Sequence, residues 1–350
     1  MTIFNNIFII GLGLIGGSFA RALKKYNSQQ IIGAYDKNYD NLSLAKLQKT
    51  IDYTIDLQAN KTSISDIDLI VISTPLSTYN QIFRQINHII SKNTIVIDLG
   101  SVKNFAIPKN IKNFIPCHPI AGLHQSGFEY SDEKLFDNKQ IIICRDQQKL
   151  KDDRILSLFK SLNLKYCFMD SVKHDKIYAL ISHLPQFLSF LFLDLTPKDL
   201  NINDSFYKSF RLNKSNPEIW ADVFKLNEVN IGNYYIDFFD NLKNNIDNIN
   251  NCAVILDKIN FYHKKYDNLL EKSVVDEKFF CYNFKSIFFR VLMVISYLEI
   301  KEIEDLKEYY GNGFKDFISI LNIFNLNQEI LISEMKKSQN SLQEIFKELN

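Results

Sequence analysis

Ile7-Phe-Ile-Ile-Gly11-Leu-Gly-Leu-Ile-Gly16 is an apolar run that closes in the pattern G-x-G-x-x-G. The bulky residues Ile7–Ile10 predict a buried strand. In such a turn Gly11 permits the sharp reversal and Gly13 lets a pyrophosphate approach the backbone. Gly16 lets the following helix lie close on the strand. That helix, read as Leu14–Tyr26, presents the N–H groups of its first residues, Leu14, Ile15 and Gly16, to phosphate. Ile31–Tyr35 predicts a second strand, and Asp36 follows it, twenty residues after Gly16. A carboxylate there accepts hydrogen bonds from ribose hydroxyls and repels a 2′-phosphate, which favours NAD over NADP; Lys37 softens that preference. Taken alone the glycine pattern is also met in turns that bind nothing. Here strand, helix and second strand are all in place.

Outward from this unit the alternation continues. Leu69–Ser73, Thr94–Asp98, Phe114–Cys117, Gln140–Cys144 and Lys165–Met169 read as strands. Asn41–Lys49, Thr78–Ile90 and Lys149–Leu162 read as helices. This order predicts an α/β fold with a mostly parallel, doubly wound sheet over residues 1–170. Ser73-Thr-Pro75 ends the third strand, where loops line the ligand crevice of an open sheet, so Ser73, Thr74 and Pro75 are candidate cofactor contacts. A plain turn is the competing reading. From Ser171 the strand signals stop and apolar spacings of three and four take over, as in Ile219–Ile231 and Tyr235–Ile249. Residues 171–275 therefore read as an all-α C-terminal domain, and 276–350 as a helical extension. The segment 313–319 echoes 205–211, so the extension reads either as a degenerate repeat or as an unrelated aromatic-rich helix.

Composition excludes several classes. A net charge of +1 supplies no field for nucleic acid or an anionic membrane. Five cysteines without a CxxC suit neither zinc nor a disulfide framework, which points to reduced thiols in the cytoplasm. The apolar stretches Ile177–Leu195 and Ile287–Leu298 are interrupted by polar residues or short of the ~20 needed to span a bilayer, and read as buried helices. The start, MTIFNNIFII, has no basic n-region and is not a signal peptide.

Cys117-His-Pro-Ile-Ala-Gly122 follows another strand end on the same predicted sheet edge, where His118 has a side chain suited to general-base work near neutral pH. Asp98-Leu-Gly-Ser101 ends the preceding strand and brings a hydroxyl to that edge. On these residues alone His118 is equally a base or a structural histidine.

The string His118-Pro-Ile-Ala-Gly122 with Ser126-Gly127 resembles the signature of the prephenate/arogenate dehydrogenase family. Ser182-His-Leu-Pro-Gln186 resembles that family's Ser-His-Leu-Pro-His helix. Phe210-Arg-Leu, Asn216-Pro-Glu-Ile-Trp220 and Asp222-Val-Phe224 resemble its arginine segment. The resemblance spans residues 5–250 and implies a Rossmann domain followed by a helical domain that forms a homodimer. It also implies NAD-dependent oxidative decarboxylation of prephenate to 4-hydroxyphenylpyruvate in tyrosine biosynthesis, or of arogenate to tyrosine. Under it His118 is the base and Ser101 hydrogen-bonds the reacting hydroxyl or orients His118. Arg211 clamps a carboxylate, and Ser182, His183 and Gln186 line the substrate pocket. His183 alone reads as a buried helix histidine.

The chain departs from the pattern at four places. Gln186 replaces a histidine. Leu123 and His124 stand where bacterial relatives often have Thr and Glu. Lys208 replaces an aspartate. Leu123 lacks the charge that would meet arogenate's ammonium, which favours prephenate. The altered positions also support a catalytically silent NAD-binding regulatory protein, against which His118, Ser101 and Arg211 speak. Other helical-tailed Rossmann oxidoreductases, such as β-hydroxyacid dehydrogenases and imine reductases, rely on a lysine or another acid and fit these motifs poorly. The extension fits neither a mutase, since 251–350 contain one arginine, Arg290, nor an ACT domain, which needs β-α-β-β-α-β alternation.

Overall fold

The computed structural model describes residues 3–57, 66–123, 125–150, 152–191, 212, 215–248, 252–269, 284–319 and 321. The chain divides into two compact units, Met1–Asp175 with Asn216–Asn227, and Lys176–Ser215 with Glu228–Asn350.

The first unit is built on an eight-stranded sheet. Its strands are β1 (Asn6–Ile10), β2 (Ile31–Tyr35), β3 (Tyr53–Thr54), β4 (Leu69–Ile72), β5 (Ile95–Asp98), β6 (Phe114–Pro119), β7 (Gln140–Ile143) and β8 (Lys165–Phe168). They lie in the order β3-β2-β1-β4-β5-β6-β7-β8. Every pairing is parallel except β6 with β7. All seven strands expected from the sequence are present. The two-residue β3 is too short to leave a period. Because β1, β4, β5 and β6 run the same way, their C-terminal ends share one sheet edge, which carries the glycine turn, Ser73, Asp98 and His118.

Both sheet faces are buried, as a parallel sheet requires. Ile7, Ile9, Val71 and Ile97 point to one face, which is covered by α1 (Leu14–Tyr26), α2 (Tyr39–Leu47) and α4 (Arg154–Ser161). Phe8, Ile10, Ile72 and Val96 point to the other, under α3 (Tyr79–Ile86). Two helices start later than the sequence predicts. Pro75 is extended and leads into a 3-10 turn, Leu76–Thr78, before α3. Another 3-10 turn, Gln147–Lys149, capped by Asp146, precedes α4.

The expected continuous helix over Ile219–Ile231 is two helices, α7 (Pro217–Leu226) and α8 (Glu228–Asp247). Asn216 caps α7 by accepting the Glu218 N–H, and Pro217 occupies the first turn, where its missing N–H has no consequence. Trp220, Val223 and Leu226 then pack against the α3-side core, so this helix belongs with the sheet and not with the helical half. The chain breaks at Asn227, whose buried Nδ2 donates to the Asp175 carbonyl at 2.8 Å.

After α5 (Ser171–Tyr178) comes a π-helical turn, Ala179–His183, and then α6 (Leu184–Leu191). The second unit also contains α8, α9 (Cys252–Tyr266), α10 (Phe284–Leu298), a 3-10 segment Lys301–Tyr309 and α11 (Asn312–Ile318). Asn245 of α8 ties three helices together. Its Nδ2 donates to Ser296 Oγ at 2.9 Å and to Glu299 Oε2 at 2.8 Å, and its Oδ1 accepts from Lys258 Nζ at 2.6 Å. The π-turn leaves one carbonyl without its helical donor. In i→i+5 winding the Leu180 carbonyl looks to residue 185 for its N–H, and residue 185 is a proline. The fully buried Tyr297 hydroxyl of α10 donates to that carbonyl instead, at 2.9 Å. Residues 205–211, one half of the sequence echo, lie outside the described residues.

Replacing Tyr297 by Phe leaves the Leu180 carbonyl buried and unpaired. Tyr297→Phe should lower stability by about 1–3 kcal/mol, read as an earlier midpoint in urea; an unchanged midpoint would show that the carbonyl finds another donor.

Candidate active site

Gly11 has φ +94 and donates its N–H to the Tyr35 carbonyl at 2.8 Å. A Cβ at Gly11 would lie 2.7 Å from the Ser73 carbonyl oxygen, and one at Gly16 would lie 2.0 Å from the Gly11 oxygen. These two glycines are therefore required by the protein itself. Gly13 differs: a Cβ there would meet nothing within 4 Å. Gly13 caps α1 with extended backbone and no side-chain acceptor, and no acidic residue occupies the first turn. The N–H groups at Leu14 and Ile15 thus open a helix with no anion of its own. The turn fits a dinucleotide phosphate, with Gly13 as the residue whose missing side chain leaves room for it.

The other expected cofactor contacts surround this turn. Asp36 accepts the Leu12 N–H at 2.6 Å on Oδ2 and the Asn38 N–H at 2.7 Å on Oδ1. Each carboxylate oxygen retains lone-pair capacity for a ribose hydroxyl. Ser73 Oγ donates to the Gly11 carbonyl at 2.8 Å, so it braces the turn. Thr74 accepts from Thr78 Oγ1 at 2.8 Å. The turn opened by Pro75 is held by Asp222 of α7, which accepts the Ser77 N–H at 3.0 Å.

Asp98 ends β5 fully buried. Its Oδ2 accepts from Lys103 Nζ at 2.6 Å, from the Tyr79 hydroxyl at 3.0 Å and from the Gly100 N–H at 3.0 Å; Oδ1 accepts the Cys117 N–H at 3.2 Å. Lys103 Nζ also donates to the Cys117 carbonyl at 2.5 Å. Both polar groups of residue 117 are therefore fixed by one ion pair, immediately before His118. His118 lies within β6, one residue beyond the predicted strand end, in register with Ile142. Burial pushes the neighbouring Cys117 thiol well up, so it is no nucleophile.

His118 is oriented by a group that the sequence did not single out. Its Nδ1 lies 2.9 Å from His174 Nε2, and His174 Nδ1 lies 2.8 Å from Asp175 Oδ1. The same Oδ1 accepts the Lys103 N–H at 2.8 Å. Burial pushes the His174 imidazole below the usual histidine value, against the opposing pull of its hydrogen bond to Asp175. Ser101 lies half-buried one residue after Gly100, and no hydrogen bond joins it to His118. The hydrogen bond described at the His118 ring is with His174.

In the second unit Ser182 is half-buried and His183 fully buried, both within the π-turn. Gln186, expected to face substrate, faces protein. Its Nε2 donates to the Leu212 carbonyl at 2.8 Å, and its Oε1 accepts from Ser215 Oγ at 3.4 Å. A fully buried amide has to satisfy both ends, and here both go to the segment following Arg211. Arg211, Lys208 and His124 lie outside the described residues; Leu123 is exposed. Among the described residues no group of His, Cys, Asp and Glu is arranged to hold a metal ion. No helix there is long and apolar enough to cross a membrane.

The model of the prephenate dehydrogenase nucleotide-binding domain matches residues 19–167, and that of the prephenate dehydrogenase dimerization domain matches residues 170–270. The chain is 31% identical over 192 residues to a prephenate dehydrogenase of Lactococcus lactis, covering 52% of this chain and 51% of that protein. It is 29% identical over 240 residues to a cyclohexadienyl dehydrogenase of Zymomonas mobilis, covering 64% of this chain and 81% of that protein. The chain thus spans about half the length of the first of these relatives. Among solved structures it resembles the prephenate dehydrogenase of Aquifex aeolicus in complex with hydroxyphenyl propionate and NAD+. The TM-score is 0.63 at 26% identity, covering 76% of this chain and 97% of that one.

The glycines separate fold from ligand. Gly16→Ala should lower the melting temperature, because its Cβ collides with backbone. Gly13→Ala should melt like the wild type yet bind NADH at least about tenfold more weakly, a loss of ~1.4 kcal/mol, in a fluorescence titration. Unaltered NADH affinity in Gly13→Ala would place the phosphates elsewhere.

Proposed function

Because the chain belongs to the prephenate dehydrogenase family, we propose that it converts prephenate to 4-hydroxyphenylpyruvate by NAD-dependent oxidative decarboxylation, in tyrosine biosynthesis, as a cytoplasmic homodimer. The observation that carries this reading is the sheet edge where His118, at the end of β6, shares its side with the glycine turn at the end of β1. The matched dimerization domain supports the homodimer. The buried thiols of Cys117 and Cys144 agree with a reducing compartment.

Bound NAD supplies the acceptor for the hydride that leaves C4 of the cyclohexadienol. The chain's own residues manage the proton and the carboxylates. His118 takes the C4 hydroxyl proton as that carbon becomes a carbonyl, an interaction that strengthens only as the transition state is approached. The electron pair of the C1–carboxylate bond then enters the ring, CO2 departs, and the new phenolic oxygen recovers a proton. Ser101 hydrogen-bonds the reacting hydroxyl. Arg211 clamps a carboxylate with its planar fork, and Ser182 and His183 contribute polar groups to the substrate pocket. Gln186 acts through the segment it holds. Leu123 offers no charge to an ammonium, which favours prephenate over arogenate.

The reading is tested by following NADH absorbance with purified protein. Prephenate should be turned over in preference to arogenate. No signal with either, under conditions where a known relative works, would favour the silent NAD-binding protein. His118→Asn should lower kcat by about 10²–10⁴ with KM little changed. Arg211→Ala should raise KM by roughly ten- to a hundredfold, the equivalent of one lost charge-assisted contact. A His118→Asn enzyme of normal rate would remove His118 from the chemistry.

A further inference from the structure

We infer that Asp175 and His174 form a relay that fixes His118 as its Nδ1–H tautomer, so that Nε2 is the atom that takes the substrate's hydroxyl proton. This rests on the reading of His118 as the base and adds to it the residues that make it one.

The order of donors follows from one fixed point. The Lys103 backbone N–H can only donate, and it donates to Asp175 Oδ1 at 2.8 Å. Oδ1 is therefore an acceptor, and His174 Nδ1, 2.8 Å from the same oxygen, must carry a proton. The opposite tautomer would set two lone pairs against each other. A neutral His174 with its proton on Nδ1 has a bare Nε2. That Nε2 lies 2.9 Å from His118 Nδ1, which must then be the donor. A neutral His118 with its proton on Nδ1 has a bare Nε2 in turn. With His174 neutral, the chain of constraints runs from backbone to catalytic nitrogen.

A doubly protonated His174 would reverse the last step. The surroundings oppose it. His174 is fully buried, and burial is the largest influence on it, lowering its pKa. Among its charged neighbours Lys103 lowers it further, while Asp175 and Asp98 pull the other way.

Asp175 is itself buried, and its Oδ2 has no hydrogen-bond partner among the described residues. A carboxylate under-satisfied in this way is unfavourable for stability alone. Its negative charge instead helps the positive charge that appears on His118 when it takes the proton. The arrangement parallels an Asp–His pair orienting a nucleophile, with one imidazole added between carboxylate and working nitrogen. His174 and Asp175 are positioning residues, since the contact with substrate is assigned to His118.

The test reads the tautomer directly, in the full-length protein without substrate. Nitrogen-15 spectra of histidine-labelled protein, recorded above the imidazole titration range, contain six histidines, and the spectrum of His118→Asn identifies His118 by difference. We expect His118 to show a protonated Nδ1 and a bare Nε2. In Asp175→Asn the Lys103 N–H still calls for an oxygen at the Oδ1 position, so His118 should keep its Nδ1–H form. Loss of the buried negative charge should lower kcat by up to about a hundredfold, with KM for prephenate and NADH affinity unchanged. His174→Gln keeps an acceptor for the His118 Nδ1–H and should retain more kcat than His174→Leu. These two variants decide the matter if Asp175→Asn does not fold. An Nε2–H His118 in the wild type, or equal losses in the glutamine and leucine variants, would overturn the relay. Turnover of prephenate alongside the wrong tautomer sinks the relay alone. The expected tautomer without turnover of prephenate or arogenate sinks the assigned reaction and leaves the relay standing.

Discussion

At the end of β5 a carboxylate and an ammonium are sealed against each other, away from water, and much of the first unit is arranged so that neither is left short of partners. Asp98 collects donors from Lys103, Tyr79, Gly100 and Cys117, which lie on α3, the β5–β6 loop and β6. Lys103 returns a bond to the Cys117 carbonyl and gives its backbone N–H to Asp175. Buried charges persist only when geometry and further hydrogen bonds compensate for lost hydration. Here the compensation fixes the backbone on the N-terminal side of His118 and the carboxylate behind His174. The imidazole thus projects from a strand end whose position is set by charge pairing as well as by the sheet ladder. A side chain held in this way keeps its geometry without depending on a ligand.

Much of this was legible in the sequence, for local reasons. The strands announced themselves as apolar runs and the glycine turn as a spacing. Asp36 stood directly behind the second strand, and all of these signals lie within a few residues of what they specify. The relay is different in kind. His174 and His118 are 56 residues apart, and in a helix pattern His174-Asp175 reads as polar face. The nearest warning was a lysine five residues beyond a strand-ending aspartate, a pair that becomes meaningful only once β5 and β6 lie side by side. The break at Asn227 was invisible for the same reason, because the periodicity of Trp220, Val223 and Leu226 runs on smoothly. The partner that stops it is the Asp175 carbonyl. With Gln186 the residue was noticed and its direction was not, since a side chain on a buried helix can serve either the pocket or the packing.

Glutamine at 186 also alters what can vary with pH. A histidine holding the segment after Arg211 would bring its titration to that contact. An amide holds the Leu212 carbonyl and the Ser215 hydroxyl equally well at any pH in which the protein is folded. The way the chain after position 211 is fastened is thereby decoupled from pH.

The bond from Tyr297 to the Leu180 carbonyl has a consequence for inheritance. The stretch matched by the family's domain models ends at residue 270, and Tyr297 lies beyond it. A proline at 185 creates a vacancy in the motif helix, and in this chain the vacancy is filled from outside the shared region. The two positions form one heritable unit: losing the hydroxyl exposes the proline, and losing the proline makes the hydroxyl redundant. A relative that keeps the proline but lacks the C-terminal segment must draw its donor from elsewhere, from water or from a second subunit. The extension is thus a co-dependent of the motif helix, and grafting the shared domains without it would carry over a defect that the parent does not have.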